Sequence, residues 1–268
     1  MAEQAGQVTG ASPPRDAEVL YSTGDHIATI TLNRPEKRNS FDSAHLRTLA
    51  EAARQLGDWR DLRAVVLRAT GPVFSAGADI REMAALDANR ARAFITSIHE
   101  TCDSMRTLPV PAIACIQGPV FGAGLELVAS CDIRLAADTA RFGMPEVRVG
   151  IPSVVEAALL PQLIGWGRTR WLLLTGDSID AAQALAWGLV DQAGPATELD
   201  GLVEQTVVSI LHAGPQAVRL QKRLIAEWEE LSLRSAIARG IDCFAEAWQT
   251  EEPRQMLRAA ADRISRRA

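Results

Sequence analysis

Two glutamates stand among residues that do not suit them. Glu126 lies in GPVFGAGLELVASCD (118–132), with Leu125, Leu127, Val128 and Ala129 beside it. Glu146 lies in GMPEVRVG, between Pro145 and a strand-like run. Two carboxylates near one apolar pocket can share acid and base work. Taken singly they read more plainly: Glu146 as a surface loop residue, Glu126 as a first-turn charge that complements a helix dipole.

The residues ahead of Glu126 suggest a second function. Three glycines, Gly118, Gly122 and Gly124, fall within 118–124. A helix starting there leaves its first N–H groups unpaired, and these favour negative charge. Small residues at Gly122, Ala123 and Gly124 let a ligand reach the backbone, so an oxyanion hole can be built from main-chain amides. The competing reading is a glycine turn closing tightly on a sheet. A dinucleotide loop fits poorly, because the spacing is GxxxGxG and not GxGxxG. The stretch PVFSAGADI (72–80) repeats the strand, small-residue turn and helix. Two such turns suit an oxyanion hole, which needs donors converging from different places.

The elements that position these groups follow from pattern. Residues 18–22 and 27–32 read as strands joined by a turn near Gly24 and Asp25. NRPEKRNSFD is a loop, and Ser43 is expected to cap a helix carrying Leu46, Leu49, Ala53 and Leu56. AVVLR (64–68), AIACI (112–116) and 132–136 read as strands, and 88–106 as a helix. Residues 141–152 read as a loop with strand character at its edges. From about 154 the chain turns mostly helical, with three helical patterns in its last sixty or so residues. The result is an α/β front with an all-helical back. The domain reading is a mobile tail over 1–16, a core over 17–200 and a helical region over 201–268.

Bulk properties narrow the function classes. The chain has 268 residues, 47% hydrophobic and 23% charged, with a net charge of −5. That balance supports a sizeable core and argues against nucleic acid or an anionic membrane as partner. Cys102, Cys115, Cys131 and Cys243 form no CxxC pair, and His26, His45, His99 and His212 show no HExxH spacing. Zinc is not expected, and free thiols point to a reducing, cytoplasmic setting. No apolar run is long enough to span a membrane, and the first residues lack a secretory pattern.

Four stretches, ITLNRPEKRNSF (30–41), FSAGADIREM (74–83), GPVFGAGLELVASCDIRLA (118–136) and FGMPEVRVGIP (142–152), share order and spacing with one family. Together they closely resemble the enoyl-CoA hydratase/isomerase family, the crotonases, over about residues 18–250. The resemblance implies an α/β crotonase-like spiral of ββα units with a helical C-terminal trimerisation region. It implies a homotrimer or dimer of trimers, an acyl-CoA substrate and no separate cofactor. It also implies an oxyanion hole from the backbone N–H groups of Ala78 and Ala123. Hydratases of this kind carry glutamate at both positions matched by Glu126 and Glu146, whereas many isomerases keep only the second. The implied reaction is syn addition of water to a trans-2-enoyl thioester, giving 3-hydroxyacyl-CoA. Glu146 would give a proton to the α-carbon and Glu126 would orient and activate the water. The alternatives are an isomerase, another acyl-CoA lyase or hydrolase, or a non-catalytic CoA-binding homologue. By the same resemblance, Ala76, Asp79, Ile80 and Arg81 line the ligand, and Lys37, Arg38 and Ser40 lie in the loop that meets the nucleotide end. Lys37 and Arg38 read equally well as solvated basic residues.

The chain departs from the family in two places. After GIP, relatives carry a Gly-rich run of the type GAGGTQRL, and here SVVEAALLPQLIG stands instead. Ser153 then takes the place of a glycine whose amide helps position water. Glu156 is an added acid close by, expected at the surface, the alternative being that it alters the pocket. The C-terminal stretch RQMLRAAADRISRRA offers Arg263, Arg266 and Arg267 where relatives have a different basic contact.

Overall fold

A computed structural model describes residues 18–266. The expected mobile tail over 1–16, and Arg267, lie outside the described residues. Among the described residues, nine strands and eleven helices follow in order. They are β1 (Val19–Gly24), β2 (Ile27–Leu32), α1 (Ser43–Gly57), β3 (Ala64–Ala69), α2 (Ile80–Met83), α3 (Ala88–Arg106) and β4 (Ala112–Ile116). Then come β5 (Val120–Phe121), α4 (Ala123–Ala129), β6 (Ile133–Ala137), β7 (Arg141–Gly143), α5 (Leu160–Ile164), α6 (Trp166–Thr175) and β8 (Ser178–Asp180). The chain continues through α7 (Ala181–Trp187), β9 (Gln192–Gly194), α8 (Leu199–His212), α9 (Pro215–Glu230), α10 (Leu233–Ala247) and α11 (Glu252–Ser265). The fold is mixed α/β, as the sequence reading expects.

The main sheet has six strands in the order β1-β2-β3-β4-β6-β9. Only β1 and β2 pair antiparallel within it. Their turn places Asp25 and His26 at φ 46° and 67°, a two-residue geometry that matches strand twist. Strand β4 is apolar throughout, and β3 is apolar apart from Arg68 near its end, because both faces are covered. Val65 and Leu67 face the core shared with α1 and α3, while Ala64, Val66, Ile113 and Cys115 face Leu199 and Val203 of α8. A smaller sheet, β5-β7-β8, carries the segments around both glutamates.

Asn39, wholly buried, ties the loop after β2 to the turn after β3. Its side chain accepts from Arg34 N at 2.7 Å and donates to the carbonyls of Thr70 and Val73, each at 2.9 Å. Buried polar atoms hold position only when satisfied, and this amide makes a local knot from three bonds. Helix α9 is fastened to the core by Lys222, whose Nζ donates to Asp132 at 2.6 Å and to the Val110 carbonyl at 2.9 Å.

Two local expectations are corrected. Asp42, not Ser43, is the N-cap of α1, accepting from the N–H groups of Ala44 and His45. Ser43 is drawn to Glu82 of α2 instead. The three-residue strands β8 and β9 lie where only helix and loop were expected. Among the described residues, no helix is long and apolar enough to cross a membrane.

Candidate active site

The two small-residue turns meet. Ser75 bridges Val120 in parallel, and Phe121 N donates to the Ser75 carbonyl at 2.9 Å. The Ser75 hydroxyl donates to the Asn39 carbonyl at 2.8 Å and accepts from Gly77 N at 3.1 Å. Gly77 has φ 89°, and a Cβ there would lie 2.7 Å from the Phe121 carbonyl oxygen and 3.3 Å from Ala123 N. Glycine is therefore required by both conformation and space. On the other side, Phe41 N donates to the Gly77 carbonyl and Asp79 N to the Phe41 carbonyl, each at 2.8 Å. This ladder fixes the two turns side by side and leaves some amides at their edges unused. Among the described residues, the N–H groups of Ala78 and Ala123 have no acceptor. Ala123 is only 5% exposed, and a buried N–H without a partner is rare enough to call for one.

Glu126 is one turn further along α4 and 4% exposed. Its carboxyl is pushed up from the ordinary range to about 8. Burial is the main cause, followed by the charges of Glu146 and Glu156, with the amides of Ala157 and Val154 acting the other way. Burial disfavours the charged form, and nearby like charges add to that. Glu146 begins a short 3-10 turn, Glu146–Val149, and reaches across to the start of α4. Its Oε1 occupies the space that a Cβ on Gly122 would take. Its Oε2 accepts from the Ser153 hydroxyl at 2.8 Å. The two glutamates singled out by sequence are thus close enough for the charge of one to act on the other, with Glu146 reaching the residue before Ala123.

The SVVEA segment lies against both. It forms a 3-10 turn, Val155–Leu159, packed on α4 and α3. Ser153 holds Glu146, and the turn packs on α4, the helix that carries Glu126. Glu156, expected at the surface, is buried at 8% exposure. Its Oε1 hydrogen-bonds His99 Nδ1 of α3 at 2.6 Å. The segment also carries strain: Val155 has φ 40°, a left-handed conformation that a β-branched residue rarely adopts. Val155→Gly is therefore expected to be more stable than Val155→Ala by about 1 kcal/mol. Thermal or urea unfolding of the two variants checks this, and the usual helical order, alanine above glycine, would refute the strain.

The other candidates line the rim. Ala76, Ile80 and Arg81 are exposed beside the turn, with Asp79 half-buried and capping α2 through Arg81 N and Glu82 N. Lys37 and Arg38 are exposed and Ser40 is half-buried on the loop held by Asn39. Ala76 N donates to the Arg38 carbonyl at 2.9 Å, so this loop abuts the turn. Arg263 is exposed on α11 and hydrogen-bonds only within its own helix. A separate cleft of about 460 Å³ between α1, α2 and α3, lined by Leu46, Phe94, Arg47, Arg90 and Glu82, includes neither glutamate. Among the described residues, no group of three or more His, Cys, Asp or Glu side chains is arranged to hold a metal ion.

The family model for enoyl-CoA hydratase/isomerase matches residues 22–263. A protein named "Probable enoyl-CoA hydratase" from Mycobacterium tuberculosis is 34% identical over 235 residues, covering 87% of this chain and 91% of the relative. A short-chain-enoyl-CoA hydratase of Clostridium acetobutylicum is 31% identical, covering 90% and 93%. Among solved structures, an enoyl-CoA hydratase from Bacillus anthracis superposes with a TM-score of 0.88 at 30% identity, covering 92% of this chain and 97% of the other.

Proposed function

The chain belongs to the enoyl-CoA hydratase/isomerase family, and we propose that within it this protein is an enoyl-CoA hydratase, adding water to trans-2-enoyl-CoA thioesters. The observation that carries this reading is the neighbouring pair Glu126 and Glu146 near two amides without acceptors. The thioester oxygen docks on Ala78 N–H and Ala123 N–H, which stabilise the negative charge it gains when the β-carbon is attacked. Water sits between the carboxyls. Its oxygen bonds to the β-carbon and one of its protons goes to the dyad. The dyad returns one proton to the α-carbon on the same face, so its proton count is unchanged.

Two neighbouring carboxyls do not both ionise cheaply, and burial rests the shared proton on Glu126. Bridging water passes that proton to Glu146, which delivers it to the α-carbon while Glu126 takes the proton from water. Ser153 orients Glu146 for this step. Lys37, Arg38, Ser40, Ala76, Asp79, Ile80 and Arg81 form the rim on which the CoA portion rests. A homotrimer, or a dimer of trimers, covers the apolar face of α10, where Leu233, Ile237, Ile241 and Phe244 are all more than half exposed in the single chain.

Loss of the conjugated thioester absorbance of crotonyl-CoA tests the activity. Rapid loss with 3-hydroxybutyryl-CoA as product supports the reading. Inertness toward crotonyl-CoA, with turnover of a 3-enoyl-CoA, makes the protein an isomerase instead. The pH dependence follows from the dyad. Glu126 keeps its proton below about 8 and loses it above. kcat/KM, which reports the free enzyme, is expected to be level near neutrality and to fall about tenfold per pH unit above that value.

A further inference from the structure

The SVVEA segment contains a charge that the reaction above does not use. Glu156 is more than nine-tenths buried, and its Oε2 has no partner among the described residues. Its other oxygen bonds His99, whose side chain is 53% exposed on the outer side of α3. An unmatched buried carboxylate oxygen costs stability, so this arrangement needs a reason. Position suggests one. Glu156 stands in the turn that packs on α4, which carries Glu126, and three residues after Ser153, which holds Glu146.

We propose that Glu156, anchored by His99, is a positioning residue: it locks the segment that holds Glu146 and packs on the helix of Glu126, and it places a second negative charge near Glu126. This deepens the hydratase reading and rests on it. The groups facing Glu126 are Glu146 from the 146–149 turn, Glu156 from the 155–159 turn and the Cys102 thiol from α3. Cys102 is fully buried and feels both Glu156 and Glu126, which with burial drive its thiol well above the ordinary range. Among the described residues, the basic group bonded to Glu156 is His99. The dyad is therefore held in a field negative on two sides, which keeps a proton in the site at neutral pH.

The test compares two changes to one contact. Glu156→Gln keeps a hydrogen bond to His99 and removes the charge. His99→Gln keeps a hydrogen bond and leaves the Glu156 charge in place. The readout is the titration of the protonated Glu126 carboxyl by infrared difference spectroscopy, its band identified by loss in Glu126→Gln. This measurement does not depend on turnover of crotonyl-CoA, so failure of the hydratase reading leaves it intact. Glu156→Gln is expected to lower the midpoint by about one pH unit, a tenfold change, with the alkaline limb of kcat/KM moving alongside. His99→Gln is expected to stay within about half a unit of wild type, since the nearby charge is retained. An unchanged midpoint in Glu156→Gln, or equal shifts in both variants, overturns the proposal. If Glu156→Gln does not fold, Glu156→Leu removes both the charge and the need for a partner, and the same criterion applies.

Discussion

Glu126→Gln and Glu146→Gln are each expected to lower kcat/KM on crotonyl-CoA by roughly a hundred- to ten-thousand-fold, the usual worth of a positioned acid or base. Both variants keep shape and hydrogen-bonding capacity, so the loss reports proton transfer and not collapse of the site. The double variant is expected to be scarcely worse than either single one, because a dyad that passes one proton acts as a unit. Additive losses would instead mean two independent roles. Stability separates the two positions. The folded-state value for Glu126 is raised from 4.5 to about 8, so between these pH values the folded chain keeps a proton that the unfolded chain releases. Stability therefore falls as pH rises through that window and levels off above about 8. Glu126→Gln removes this penalty. It is expected to melt above wild type at pH 9, with the gap shrinking toward pH 5. A constant gap across that range would show that Glu126 carries no unusual proton.

The second large effect is expected at Gly122. Its backbone lies at φ 53° and ψ −128°, and the Cβ position is filled by Glu146 Oε1. Gly122→Ala forces a disfavoured backbone and pushes the carboxyl out of line. A destabilisation of about 2–4 kcal/mol is expected, together with a loss of kcat/KM of at least about a hundredfold, because small displacements of reacting groups are costly. The clash component can be isolated. In a Glu146→Ala background, Gly122→Ala is expected to cost measurably less stability, since the colliding oxygen is gone. Equal costs in both backgrounds would place the whole penalty in the backbone.

Much of this site could be read along the chain because its parts are local. The apolar runs at 64–68 and 112–116 announce strands covered on both faces, and the small-residue turns follow them directly in sequence. Glu126 stands out because its neighbours are leucine and valine. What could not be read depends on partners distant in sequence. Glu156 looks like a surface acid until α3 brings His99 to it across 57 positions. Strands β8 and β9 have three residues each, too few for a period, and exist through pairing with β7 and β6. Ser43 resembles a cap, but Asp42 takes that place because Glu82, 39 positions away, binds Ser43. The left-handed Val155 carries no signal in its residue type, since valine argues against that conformation.

The two amides without acceptors, at Ala78 and Ala123, belong to the main chain. Any substitution other than proline that preserves the fold preserves them, so alanine scanning of side chains passes over them without a signal. Exchanging the amide for an ester linkage at either position is the chemical edit that deletes the donor alone. The same fact divides the inheritance of the site. On the hydratase reading, grip on the carbonyl oxygen would descend with the scaffold, whereas the fate of the acyl group would be written in side chains that one codon change can replace.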